Sequence, residues 1–105
     1  MKELFFAGDS KKRLRDFPIG ARKKAGFQLQ LVQQGDEPED WKPMTSVGAG
    51  VRELRIWDEA GTFRVIYIAK LADRIVVLHA FEKRARATSR KDIELARKRL
   101  REVDV

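Results

Sequence analysis

Apolar and polar positions follow two rhythms along this chain. The middle alternates with a period of two or runs continuously apolar, as strands do, and both ends carry the three-to-four spacing of helices. Val51-Arg52-Glu53-Leu54-Arg55-Ile56-Trp57 predicts one strand, Asp58 to Gly61 a hairpin loop, and Thr62 to Ala69 (TFRVIYIA) a second strand rich in β-branched and aromatic residues. A polar turn at Ala72-Asp73 leads into a third, Arg74 to Phe81 (RIVVLHAF). Short connections between three strands predict an antiparallel meander.

The first third reads differently. Lys2 to Phe6 predicts a short strand, and Asp9 or Ser10 offers a helix start able to accept free amide hydrogens. That helix carries Leu14 and Phe17 inward and ends before Pro18, whose predecessor is steered away from helical geometry. Ile19 to about Gln34 predicts a second helix through Ala21, Ala25, Leu29 and Val32, although Phe27 to Leu31 alternates like a strand and Gly26 weakens a helix. Residues 35–50 form an acidic connection bearing Gly and Pro, which Trp41 pins to the core. Thr88-Ser89 signals a last helix to about Glu102, with Ile93, Ala96, Leu100 and Val103 as its apolar stripe. The fold class is therefore α+β. A central antiparallel sheet, the meander plus an N-terminal strand, packs on two N-terminal helices, with a short C-terminal helix, in a single domain over residues 1–105.

Composition changes this picture in two ways. Without cysteine, disulfides, a Cys nucleophile and Cys-ligated zinc are excluded, and a single His excludes a multi-His metal site. The opening apolar run is too short for a signal peptide, and no stretch approaches a membrane span, so a cytoplasmic protein that does not engage membranes is expected. The net charge of +7 favours a polyanionic partner. It is unevenly spread: residues 35–50 hold one basic and four acidic side chains, whereas residues 83–91 hold five cations and no acid.

If Leu54 and Ile56 face the core, then Glu53, Arg55 and Trp57 face the other way, and Arg64 meets Arg55 across the hairpin. His79, Phe81 and Lys83 share a parity on the third strand. An uncovered sheet face with these residues suits RNA, since guanidinium groups hold phosphates and aromatic rings stack on unpaired bases. Arg52, Arg55, Trp57, Phe81, Lys83, Arg86, Arg90 and Lys91 are the expected RNA-binding residues. Several candidates have a structural alternative. Arg64 could pair with Glu53 or Glu82, His79 could be a satisfied strand histidine, Tyr67 a core tyrosine, and Arg97 to Arg101 a solvated helix face.

From Val51 to Leu100 the succession VRELRI, GTFRVIY, IVVLHAFEKR and SRKDIELARKRL resembles the RelE/HigB group of type II toxins, closest to its phage-related, HigB-type branch. The opening LFFAGDSKKRL, followed by Pro18, is similar to that branch too. The resemblance implies a RelE-like fold and a ribosome-dependent mRNA endonuclease that inhibits translation. Such an enzyme uses the RNA's own 2′-hydroxyl as nucleophile and needs neither metal nor cofactor. It implies that Arg64 stabilises the scissile phosphate, with Arg55 and the basic pair Lys83-Arg84 in support; Arg84 counts with Arg64 as catalytic. It also implies a helix-turn-helix, HigA-like antitoxin that blocks this face, with ribosome and mRNA as partners and operator DNA met only through the antitoxin complex. The wider family often carries a Tyr or His near the C-terminus. This chain has neither after His79, which leaves His79 and Tyr67 as its conventional proton carriers. The alternative is a catalytically inert RelE-fold nucleic-acid-binding protein, or a phage-derived interaction protein.

Overall fold

A computed structural model describes residues 1–103. The order is β1 (Glu3–Phe6), α1 (Ser10–Arg15), α2 (Ile19–Gln33), β2 (Trp41–Pro43), β3 (Val51–Asp58), β4 (Gly61–Ile68), β5 (Arg74–Glu82) and α3 (Arg90–Glu102). The meander forms as expected, and Gly61, at φ 145°, takes a turn geometry that a side chain would resist.

The sheet is nonetheless five-stranded and mixed, in the order β1-β5-β4-β3-β2. β1 runs parallel to β5, and β2 pairs antiparallel with β3, Trp41 opposite Leu54. β2 was not expected: three residues ending in proline, inside an acidic connection, carry no alternation to read. Proline is tolerated there because β2 is an edge strand.

One sheet face packs on α1 and α2 through Leu14, Phe17, Ala21, Ala25, Leu29 and Val32, set against Leu54, Ile56, Phe63, Val65, Tyr67 and Val77. The strand-like alternation at Phe27–Leu31 yields to the helix, because Leu29 and Val32 are both buried at helical spacing. The opposite face was expected to lie open. Instead α3 and the β2–β3 connection cover much of it, burying Met44, Val47, Val51, Ile66, Ile68, Leu78 and Ala96. The reason lies in the strands, whose second parity is also apolar over half its length and needs a cover.

A bulge at the β4–β5 pairing (Ile66 opposite His79, Tyr67 opposite Val77) inserts Leu78 as an extra residue. It switches the parity of β5, so that Val77 and Ala80 belong to the α1/α2 side and Leu78 and Phe81 to the α3 side.

Neither expected capping side chain caps α1. Ser10 is buried and donates to the Val77 carbonyl at 3.1 Å, and Asp9 pairs with Arg13 and Arg99. Arg99 corrects the expectation of a solvated C-terminal run: it is buried, donating to the Leu78 carbonyl at 2.9 Å and to Asp9. Gly8, at φ 54°, lets it pass where a β-carbon would collide with the guanidinium.

Candidate nucleic-acid interface

The face under α3 divides along its strands. Val51, Ile66, Ile68 and Leu78 meet the helix, while the other end carries Glu53, Arg55 and Trp57 of β3, and Arg64 of β4 directly opposite Arg55. Lys42 of β2 lies opposite Glu53, and Phe81 of β5 lies opposite Arg64. Lys83 follows at the end of β5, its amide donating to the Thr62 carbonyl at 2.8 Å.

Glu53 is the centre of this end. It is fully buried and accepts a hydrogen bond from Thr88 Oγ1 at 2.6 Å. Arg64 Nε stands 3.5 Å and Lys42 Nζ 3.8 Å from Glu53 Oε1. Neither contact has hydrogen-bond geometry, so Glu53 Oε1 and the buried Nε atoms of Arg64 and Arg55 have no hydrogen-bond partner among the described residues. Burial lowers the Arg64 guanidinium from its ordinary range, and Glu53 opposes that shift. Burial followed by the nearby Arg64 lowers Lys83. Sequence reasoning named Glu53 only as a possible partner for Arg64 and passed over Lys42 and Asp40. The available signal was the hairpin register, which sets Glu53 two residues from the Arg55–Arg64 pair on the same face.

A second, more exposed group sits beside it. Trp57 is 54% exposed, its Nε1 donates to Asp40 Oδ2 at 2.6 Å, and the Arg64 guanidinium lies over its ring at 5.3 Å. Arg55 NH1 stands 3.8 Å from Asp40 Oδ1.

The other expected site residues do not all join. Arg64 is only 4% exposed, so the structural pairing with Glu53 is realised in the free protein. Arg52 lies on the α2 side of the sheet, its guanidinium 3.9 Å from the Trp41 ring centre and 3.3 Å from Glu37. Tyr67 is fully buried in the same core, and burial raises its hydroxyl's pKa. His79 is buried too. Its ring stacks on Phe81 at 5.0 Å, and its Nε2 lies 2.7 Å from Asp92 of α3. Burial, its strongest influence, holds it below the usual imidazole range despite Asp92, so it is neutral near pH 7 and donates from Nε2. Tyr67 and His79 therefore lie inside the fold and not on its surface. Phe81 is likewise buried. Arg84 is exposed and bonded to Glu82 at 3.0 Å, beside a cleft that Arg13, Asp16 and Phe17 also line. Arg86, Arg90 and Lys91 are exposed around the start of α3, with Arg90 paired to Glu94.

This α+β architecture, a mixed five-strand sheet between helices, is that of a RelE-like fold. Residues 12–101 match the family described as Phage derived protein Gp49-like (DUF891), and the chain belongs to that family, part of the RelE/HigB-like toxin–antitoxin superfamily. No curated protein matches the chain as a relative. Among the described residues no helix is long and apolar enough to cross a membrane.

Proposed function

We propose that the chain is the toxin of a toxin–antitoxin pair, of HigB type, acting in the cytoplasm on ribosome-bound mRNA. The observation that carries this reading is the end of a sheet face where Arg64 and Lys42 stand against the buried Glu53 carboxylate, with Arg55 opposite Arg64 and Lys83 close by. A site of that kind is ready for further anionic oxygens, and a phosphodiester supplies them. In the reaction, the 2′-oxygen attacks the adjacent phosphorus and the bond to the 5′-oxygen breaks. The 2′-proton leaves to a base and the 5′-oxygen takes up a proton, giving a 2′,3′-cyclic phosphate and a 5′-hydroxyl. Arg55 and Arg64 stabilise the charge that builds on the phosphate. We assign to Lys83, which burial and the nearby Arg64 make a readier acid, the protonation of the leaving oxygen. An antitoxin of helix-turn-helix type holds the activity in check.

One observation favours a second reading, a protein that binds RNA without cutting it: both conventional proton carriers, His79 and Tyr67, are sequestered. Inducible expression with mapping of mRNA 5′ ends decides between them. Growth arrest with new in-frame 5′ ends, abolished in Arg55→Ala/Lys83→Ala, is the expected result. Ribosome co-sedimentation that falls steeply with salt, without new 5′ ends, would leave the binding protein. Neither cleavage nor co-sedimentation would reject both.

A further inference from the structure

We propose that Trp57 is one wall of a pocket for a single unpaired nucleobase, and that the protein therefore takes single-stranded in preference to duplex RNA. The inference rests on the RNA-directed reading above and adds a second contact to it, apart from the cation cluster.

Trp57 is an unusual exposed tryptophan because its position is fixed. Asp40 holds its indole nitrogen at 2.6 Å, and the buried Arg64 guanidinium lies over the ring. Asp40 is itself anchored, its carbonyl accepting the Arg55 amide at 2.9 Å. β2 pairs with β3 only as far as Leu54, and beyond it the β3 edge is met by Asp40 at the Arg55 amide and by Lys24 at the Trp57 carbonyl. There a cavity of about 240 Å³ opens between β3 and α2, lined by Trp57, Ile56, Arg55, Asp40, Glu39, Gln28 and Lys24.

The chemistry of this pocket suits a base more than a phosphate. Its walls include an indole and an isoleucine, and one of its two cations is already engaged: Lys24 donates to the Trp57 carbonyl at 2.7 Å and to Asp58 at 3.1 Å. A ring already fixed by two partners gives up little freedom when a base stacks on it. Arg55, shared between pocket and cluster, would hold the adjoining phosphate. A base inside a duplex cannot turn out into such a pocket without losing its pairing.

The test uses a mixed-sequence 2′-O-methyl oligoribonucleotide, which has no free 2′-hydroxyl and is not cleaved, its duplex form, and heparin as a polyanion without bases. Binding is followed by anisotropy and by tryptophan emission. The single strand should quench the emission, whereas heparin should bind without quenching. Trp57→Ala should weaken single-strand binding roughly 5- to 150-fold, the range expected for one lost base stack, with heparin unaffected. Trp57→Phe should retain most of the affinity and lose most of the quenching, leaving the background of Trp41. Single-strand binding by the wild type with no quenching, or a folded Trp57→Ala protein of unchanged affinity, overturns the pocket and leaves the RNA reading standing. Equal affinity for strand and duplex overturns it too. A wild type that binds neither oligonucleotide nor heparin overturns both.

Discussion

The two faces of the sheet are built by alternate residues of the same strands, yet they solve different problems. Toward α1 and α2, Leu54, Ile56, Phe63, Val65 and Tyr67 make an unbroken apolar surface that two helices cover. Toward α3 the same strands are apolar at Val51, Ile66, Ile68, Val76, Leu78 and Phe81, and charged at Glu53, Arg55 and Arg64. The first face is closed mainly by the hydrophobic effect. The second is half closed that way and half by an ion pair, Arg64–Glu53, taken out of water with incomplete hydrogen bonding. Charges buried like this add little to stability compared with apolar residues of the same volume. Their presence at this end of the face supports the proposed site.

The contrast is broken most sharply by removing one member of the pair. Arg64→Ala should cost about 3–5 kcal/mol, because Glu53 then remains buried with only Lys42 and Thr88 beside it. Loss of toxicity in that variant would thus mix folding with chemistry. Glu53→Leu/Arg64→Met should recover most of the loss, since the pair is replaced by apolar groups of similar bulk. Urea unfolding of the three proteins checks this. A double variant as unstable as the single one would show that the charged end holds the fold together.

A smaller step leaves both charges in place. Thr88→Val removes the hydroxyl that donates to Glu53 Oε2 and should cost about 1–3 kcal/mol, the range for a buried polar group left unpaired. A melt unchanged by the substitution would mean that water replaces the hydroxyl, and that this end is wetter than its burial implies.

How much of this was legible follows from the same contrast. The meander and its loops were read from Val51–Trp57, TFRVIYIA and RIVVLHAF, where β-branched residues and Gly61 leave little choice. The long helix was read from Ala21, Ala25, Leu29 and Val32. The bulge at Leu78 was not, because every residue from Ile75 to Leu78 is apolar and no polar marker records which face each takes. Parity alone correctly joined Arg55 to Arg64, and would have sent Arg52 and Tyr67 to the opposite face. The depth of Arg64 and the burial of His79 were hidden, because both depend on where α3 and the β2–β3 connection settle, and those are long-range contacts. Arg99 shows the limit most plainly. In a run of four cations nothing distinguishes the one that folds inward to meet Asp9, ninety residues away.

The smallest effect expected concerns His79, which belongs to the join between the two halves of the α3 face. In the fold its imidazole is held neutral, its pKa below the value near 6.5 that it has in the unfolded chain. Above about pH 6.5 both states are neutral there and the stability is fully present. As the pH falls below that value the unfolded chain takes up a proton that the native protein refuses, so stability drops until the native pKa is reached. Asp92 accepts from Nε2 and opposes the shift, while Arg13 and Arg99 reinforce it. Asp9 and Asp58, whose pKa values are lowered, begin to lose stability only nearer pH 4, so the interval from 7.5 to 5.5 isolates the histidine. The urea midpoint of the wild type should therefore fall across that interval, and that of His79→Gln, whose amide can still donate to Asp92, should stay flat. A midpoint that rises on acidification would show that the ion pair with Asp92 outweighs burial, with His79 charged in the fold.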